Sequence, residues 1–165
     1  SEVEYPKVNE YLSLVKQSDM AFKKLINYFK QVEEPTIICM FGDHQPTIEP
    51  EFVAELLGSK NVSSLSVEQE QKRHVTPFYI WANYDIIEES NVETSPNFLG
   101  NKVLEAAGIP LSDFRNFLAE LEENYPVISS IRVEDAFGNS YETKDVADAL
   151  NEYAILQYHY LLDSK

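Results

Sequence analysis

Pro35-Thr36-Ile37-Ile38-Cys39-Met40-Phe41-Gly42-Asp43-His44-Gln45-Pro46 joins two unlike halves. The first is a continuous apolar run with β-branched residues, bounded by prolines. That pattern predicts a short strand buried on both faces, as in a sheet covered by helices. In the second half Gly42 frees the backbone to turn, and Asp43 and His44 follow at once. Open α/β sheets bind ligands in the crevice beyond the carboxyl ends of their strands. A carboxylate and an imidazole placed there offer an oxygen and a nitrogen to one metal ion. The same dipeptide also reads as a plain turn, with Asp43 capping the next helix and His44 facing solvent.

Outward from this stretch, Val8 to Gln31 reads as the first helix. Val8, Tyr11, Leu12, Val15, Phe22, Leu25, Ile26 and Phe29 form its apolar stripe, and Pro6 and Pro35 bound it. Asp19 falls on or beside that stripe, where a carboxylate should find donors or a cation in a structural role. Beyond His44 a loop leads to a short helix, Glu51 to Leu57, stopped by Gly58. Ser59 to Gln71 is polar and weakly patterned, which predicts a mobile excursion. Lys72-Arg73-His74 is the densest basic cluster. Val75 to Ala82 is the second core strand, with Trp81 and Tyr84 read as core rather than as a sugar platform.

Pro96 to Ala107 reads as a helix closed by Gly108, and Ser112 caps the next helix, which runs to about Asn124. Val127 to Ala136 and Ser140 to Tyr141 flank Gly138-Asn139, a hairpin signal. Thr143 to Leu162 is the last helix, with Val146, Leu150, Tyr153, Ala154, Gln157, Tyr158 and Leu161 as its buried stripe, and His159 as a surface or packing residue. Strands separated and surrounded by helices imply an α/β layered fold.

The 165 residues suffice for one domain of ordinary size. With 13 basic and 28 acidic residues the formal charge is −15. Such a surface repels nucleic acid and anionic membrane, and does nothing to steer a phosphate inward. An anion site would need a metal or a local basic group. Cys39 is the single cysteine, which excludes an intramolecular disulfide, and it reads as a small core hydrophobe. No segment approaches the ~18 apolar residues of a membrane span, and no secretory signal opens the chain.

The ordered set of motifs resembles a known family. A helix with Tyr11, Ser18 and Asp19 precedes a hydrophobic strand, Phe41-Gly42-Asp43-His44, and then Thr76-Pro77-Phe78-Tyr79-Ile80-Trp81-Ala82-Asn83-Tyr84-Asp85. Ser95-Pro96-Asn97-Phe98-Leu99-Gly100, Glu105-Ala106-Ala107-Gly108-Ile109-Pro110, Tyr125-Pro126-Val127-Ile128-Ser129-Ser130 and Leu156-Gln157-Tyr158 continue the pattern. Over nearly its whole length the chain resembles the C-terminal part of the lipoteichoic acid synthase family of phosphoglycerol transferases. These are sulfatase-like members of the alkaline phosphatase superfamily.

The resemblance implies the C-terminal portion of an α/β/α sandwich on a mixed sheet, with a small C-terminal β-hairpin and terminal helix. Residues 1–126 would belong to the α/β core and 127–165 to the hairpin and helix. Members carry membrane helices first and then an extracellular catalytic domain. This chain would be a soluble piece beginning inside that domain, from a parent anchored at the extracellular face of the cell membrane. One divalent ion is implied, commonly manganese, with magnesium or zinc as alternatives. Asp43 and His44 match two of its ligands. The others, a Glu and a Thr nucleophile, have no counterpart here, so no catalytic residue is assigned within the chain. The implied reaction is two-step transfer, in which the Thr takes phosphoglycerol from phosphatidylglycerol and passes it to a growing chain.

His74 is the second candidate. Related branches place a Lys or His nearby against the substrate oxyanion, while the residue itself also reads as a surface histidine in a basic turn. A sulfatase or phosphodiesterase on the same fold, and a non-catalytic binding domain, are the competing readings. The expectations are weak metal binding or an empty site and no turnover by this piece alone, with self-association through its truncated surface.

Overall fold

A computed structural model describes residues 4–163. The chain divides into two units, Ser1–Tyr84 and Asp85–Lys165. In the first, α1 (Pro6–Phe29) leads to β1 (Ile37–Phe41), α2 (Pro50–Leu56), α3 (Val67–Lys72) and β2 (Phe78–Ala82). Pro6 and Pro50 each open a helix at its first position, where a missing amide hydrogen loses nothing. β1 and β2 pair antiparallel, from Ile37 opposite Ala82 to Phe41 opposite Phe78.

Both ends of this ribbon are locked. Gly42 N donates to Pro77 O at 3.0 Å, and Asn83 N donates to Thr36 O at 3.1 Å. The Asn83 side chain does more. Its Oδ1 accepts from Thr36 N at 2.8 Å, and its Nδ2 reaches the carbonyls of Phe29, Val32 and Glu34 at 3.2, 2.8 and 3.0 Å. One amide thereby serves the end of α1, whose last carbonyls lack helical partners, and fastens it to the ribbon.

Burial departs from the sequence reading here. β1 was expected to be covered on both faces; instead Ile37, Ile38 and Cys39 are half-buried, and Met40 and Phe41 are exposed. The reason is topological: among the described residues β1 has one strand neighbour, β2. The α1 stripe behaves alike. Val8 is buried and Phe22, Ile26 and Phe29 are half-buried, while Tyr11, Leu12, Val15 and Leu25 are exposed. Asp19 is exposed too, rather than lodged among donors. The segment Ser59 to Gln71, read as a mobile excursion, contains a short turn of helix at Val62–Ser64 and then α3. A capping box starts α3: Ser66 Oγ accepts from Gln69 N, and Gln69 Oε1 accepts from Ser66 N.

The second unit holds α4 (Pro96–Ala106), α5 (Asp113–Asn124), β3 (Val127–Ile128), β4 (Val133–Glu134), β5 (Ser140–Tyr141) and α6 (Ala147–Tyr158). The strands form an antiparallel sheet in the order β3-β4-β5. Phe98, Leu118 and Leu121 make its core, with Phe114, Phe117, Tyr125, Ile128 and Tyr153 packed against them. Ser95 is buried at the start of α4, and its hydroxyl exchanges hydrogen bonds with Ile128 N and O, tying helix to strand. Buried Asn101 donates to Arg115 O at 2.7 Å and accepts from Arg115 Nη1 at 3.3 Å, which joins α4 to α5. Ser112 caps α5 as its position predicts. The β4–β5 connection turns at Gly138, φ 79°. There Asp135 accepts from the amides of Phe137 and Asn139, from Asn139 Nδ2 and from Tyr141 Oη, all at 2.9 Å.

The final helix is shorter than its stripe suggests. A turn spans Thr143–Val146, α6 follows, and a wider turn covers His159–Asp163. Val146, Leu150 and Tyr153 are half-buried, but Ala154, Gln157, Tyr158 and Leu161 are exposed. Element order and type are those of a mixed α/β fold ending in a hairpin and a helix, consistent with part of an α/β sandwich. No helix among the described residues is long and apolar enough to cross a membrane.

Candidate functional site

Asp43 and His44 sit on the turn that leaves β1, where the sheet ends and a loop runs to α2. Gly42 makes that turn feasible by its size. A Cβ there would meet Thr76 Cβ at 3.0 Å, and Thr76 Oγ1 donates to Gly42 O at 2.9 Å. The segment entering β2 therefore runs against the start of the Asp43-His44 turn. Gln45 adds a second tie through its side-chain amide, which donates to Val75 O.

The two side chains are 79% and 82% exposed, with His44 Nε2 3.6 Å from Asp43 Oδ2. Asp43 Oδ1 accepts from His44 N at 2.9 Å. His44 Nδ1 lies 2.9 Å from Gln45 O. A carbonyl can only accept, so the neutral ring donates from Nδ1 and leaves the lone pair on Nε2. Ligating histidines are held this way, with the other ring nitrogen donating to a carbonyl or carboxylate. Oxygen and nitrogen ligands on one tetrahedral ion stand about 3.4 Å apart, close to the separation of Nε2 and Oδ2. The donors thus fit two positions of a divalent ion. Among the described residues no third His, Cys, Asp or Glu joins them in a metal-binding group.

His74 follows α3 at the entry to β2. Its Nε2 lies 3.8 Å from Glu70 Oε1, and the same carboxylate pairs with Arg73 at 3.0 Å. The basic cluster is thus largely matched by Glu70. The side chain of Thr76, two residues beyond His74, contacts Gly42, while the imidazole itself lies near Glu70.

Sequence reasoning missed Gln45, Thr76 and Glu49. Each holds the loop by a contact distant in sequence, which no local pattern announces. Glu49 Oε1 accepts from Lys7 N at 2.8 Å and Oε2 from Val8 N at 3.2 Å, at the start of α1. Desolvation works to raise the Glu49 pKa. The amides of Lys7 and Val8, its own amide and the Lys7 charge prevail, and hold the carboxyl below its ordinary range.

Residues 2–109 match the Sulfatase family, a span that contains Asp43, His44 and His74. The chain is also 28% identical over 166 residues to a protein of Rhizobium meliloti (strain 1021) named "Putative cyclic beta-1,2-glucan modification protein". That alignment covers 90% of this chain and 24% of the relative, so the chain spans about a quarter of the relative's length. No solved structure gives a significant match.

Proposed function

This chain belongs to the sulfatase family, and we propose that it forms part of a metal-dependent phosphoglycerol transferase in which Asp43 and His44 hold one side of a divalent ion. The observation that carries the reading is the pair itself: Nε2 lies 3.6 Å from Oδ2, and Nδ1 is committed to a backbone carbonyl. The ion, manganese in our reading, would act as a Lewis acid on the phosphoryl oxygens and lower the pKa of the attacking hydroxyl. Asp43 supplies charge to hold it, and His44 supplies a neutral nitrogen. Neither is nucleophile or base. The remaining ligands and the nucleophile would come from other parts of a longer polypeptide.

The donor in this reading is phosphatidylglycerol, met at the outer face of a membrane. The name of the Rhizobium relative favours a glycan as acceptor. Hydrolysis of a sulfate ester is the second reading, favoured by the family match itself. In both His74 would turn from Glu70 to the substrate oxyanion.

The test is turnover of phosphatidylglycerol and of an aryl sulfate by the intact polypeptide at several manganese concentrations. Asp43→Asn, His44→Ala and His74→Ala are compared with the unaltered protein. We expect phosphatidylglycerol turnover, with large losses in the first two variants and partial rescue of the weaker-binding one by excess manganese. Full activity in Asp43→Asn would sink the metal reading, and turnover of the sulfate ester alone would replace transfer by hydrolysis.

A further inference from the structure

We propose that Glu49 is a positioning residue for the Asp43–His44 pair: its carboxylate closes the start of α1 and so fixes the far end of the loop that presents both side chains. The proposal rests on the metal-ligand reading above.

Side chains 79% and 82% exposed are not oriented by packing, so their mutual placement depends on how the backbone beneath them is held. At its near end the loop is held by the bonds of Gly42 to Pro77 and Thr76. Near its middle it is held by Gln45 on Val75 O. The far end is Glu49, which directly precedes Pro50 at the head of α2. Tyr5, the residue preceding α1, makes no side-chain cap. The free amides of Lys7 and Val8 are served by Glu49 instead, from more than forty residues away in sequence.

The start of α1, which carries partial positive charge, thus rests on the carboxylate of the residue that precedes α2, and that carboxylate makes no cap bond to α2 itself. The junction is packed as well as bonded. Tyr5 lies edge-on to Phe52 at 5.1 Å and donates to Glu55 at 2.9 Å, and Val8 and Ala54 are buried. With both ends fixed, the His44 ring stays over Gln45 O with Nε2 toward Asp43. Freed at Glu49, the loop would pivot about the Gln45 tie and let the ring rotate.

The experiment is NMR on the 165-residue chain for the wild type, Glu49→Gln, Glu49→Ala and, as a control on the same helix, Glu51→Gln. Imidazole nitrogen shifts give the His44 tautomer ratio without metal. Hydrogen exchange at Lys7 and Val8 reports the cap, and broadening of the His44 ring signals by added Mn2+ gives apparent affinity. In Glu49→Ala we expect faster exchange at both amides and a fall of about threefold in the Nδ1–H to Nε2–H ratio. Mn2+ affinity should weaken about three- to tenfold, less than the loss of a direct outer-shell partner produces. Glu49→Gln should fall between, and Glu51→Gln should match the wild type.

An unchanged tautomer ratio in Glu49→Ala, with its amides deprotected, overturns the proposal. Should Glu49→Ala unfold, the ratio in Glu49→Gln decides in its place. If Mn2+ broadens His44 equally in the wild type and Asp43→Asn, the metal-ligand reading fails. The tautomer ratio alone then upholds or overturns the positioning role.

Discussion

Replacing Asn83 by alanine should loosen the first unit more than any other single exposed-to-half-buried polar change. The Nδ2 group has two hydrogens for three carbonyls at 2.8, 3.0 and 3.2 Å, so it makes two good bonds and one shared contact. Oδ1 accepts a third good bond from Thr36 N at 2.8 Å. At about 0.5–1.5 kcal/mol net for each bond, with half-burial favouring the middle of that range, the loss is about 2–3 kcal/mol. Trp81 is the chain's single tryptophan and lies in β2, two residues from Asn83, so its fluorescence reports this unit. With a urea slope of about 1.5 kcal/mol/M the midpoint should fall by about 1.3–2 M. Asn83→Asp supplies the sign. It keeps an acceptor for Thr36 but turns a carboxylate toward three carbonyl oxygens, which raises its folded pKa above the unfolded value of about 3.9. Its penalty is absent below that value and grows as pH rises through the folded pKa. A loss below about 0.5 kcal/mol in Asn83→Ala, or an Asn83→Asp variant insensitive to pH, would refute the view of this amide as the joint between α1 and the ribbon.

Phe98→Ala removes a ring that is 0% exposed from the core of the second unit and should destabilise it by about 3–5 kcal/mol, read by loss of protected amides in α4 and α5. Gly100→Ala would stabilise an exposed helix by about 1 kcal/mol. Here the new Cβ meets Arg115 Nη1 at 2.6 Å and displaces the guanidinium from Asn101, so a thermal scan should show no gain. Asp135 is held at about 2 chiefly by its bond from Asn139 Nδ2, against an opposing desolvation, with the Asn139 amide and Tyr141 adding to the lowering. A depressed folded pKa means that its contribution is complete above the ordinary value of 3.8 and is lost as pH falls toward 2; the Phe137 and Asn139 amide signals should change across that window and stay flat in Asp135→Asn. For the chain by itself, manganese calorimetry should find only weak binding that vanishes in Asp43→Asn, because two protein ligands leave the other positions to water. Tight stoichiometric binding would contradict a half site.

The elements were readable in the sequence wherever local chemistry decides them. Prolines opened α1, α2 and α4, Ser112 capped α5, and Gly108 and Gly138 supplied the positive φ their turns need. The Asp43-His44 pair was legible because the strand and turn signals are contiguous. Coverage was not legible. An apolar run such as Ile37 to Phe41 records that something must bury it, and does not record whether the covering strand lies in the same stretch of chain. The helix at Val67–Lys72 carries a capping-box spacing in Ser66-Val67-Glu68-Gln69, but its polar composition offers no apolar stripe to mark it as a helix. The ties of Glu49, Gln45 and Asn83 join residues about 30 to 50 apart, and pattern reading within a window has no access to them.

That last property bears on the order in which the chain acquires structure. The ribbon of the first unit is closed by partners 34 to 47 residues apart, so it must gather a long loop before any bond compensates the lost freedom. The second unit is assembled from neighbours: α4 beside α5, and three strands joined by short turns. Local contacts form fastest. On this topology the ribbon of the first unit waits for β2 to reach β1, while Tyr11, Leu12, Val15 and Leu25 of α1 stay exposed even after it closes. Residues 85–163 can condense as soon as they are free. A chaperone that recognises exposed apolar helices would therefore find α1 open to it for as long as the two strands of the ribbon have yet to meet, and afterwards as well.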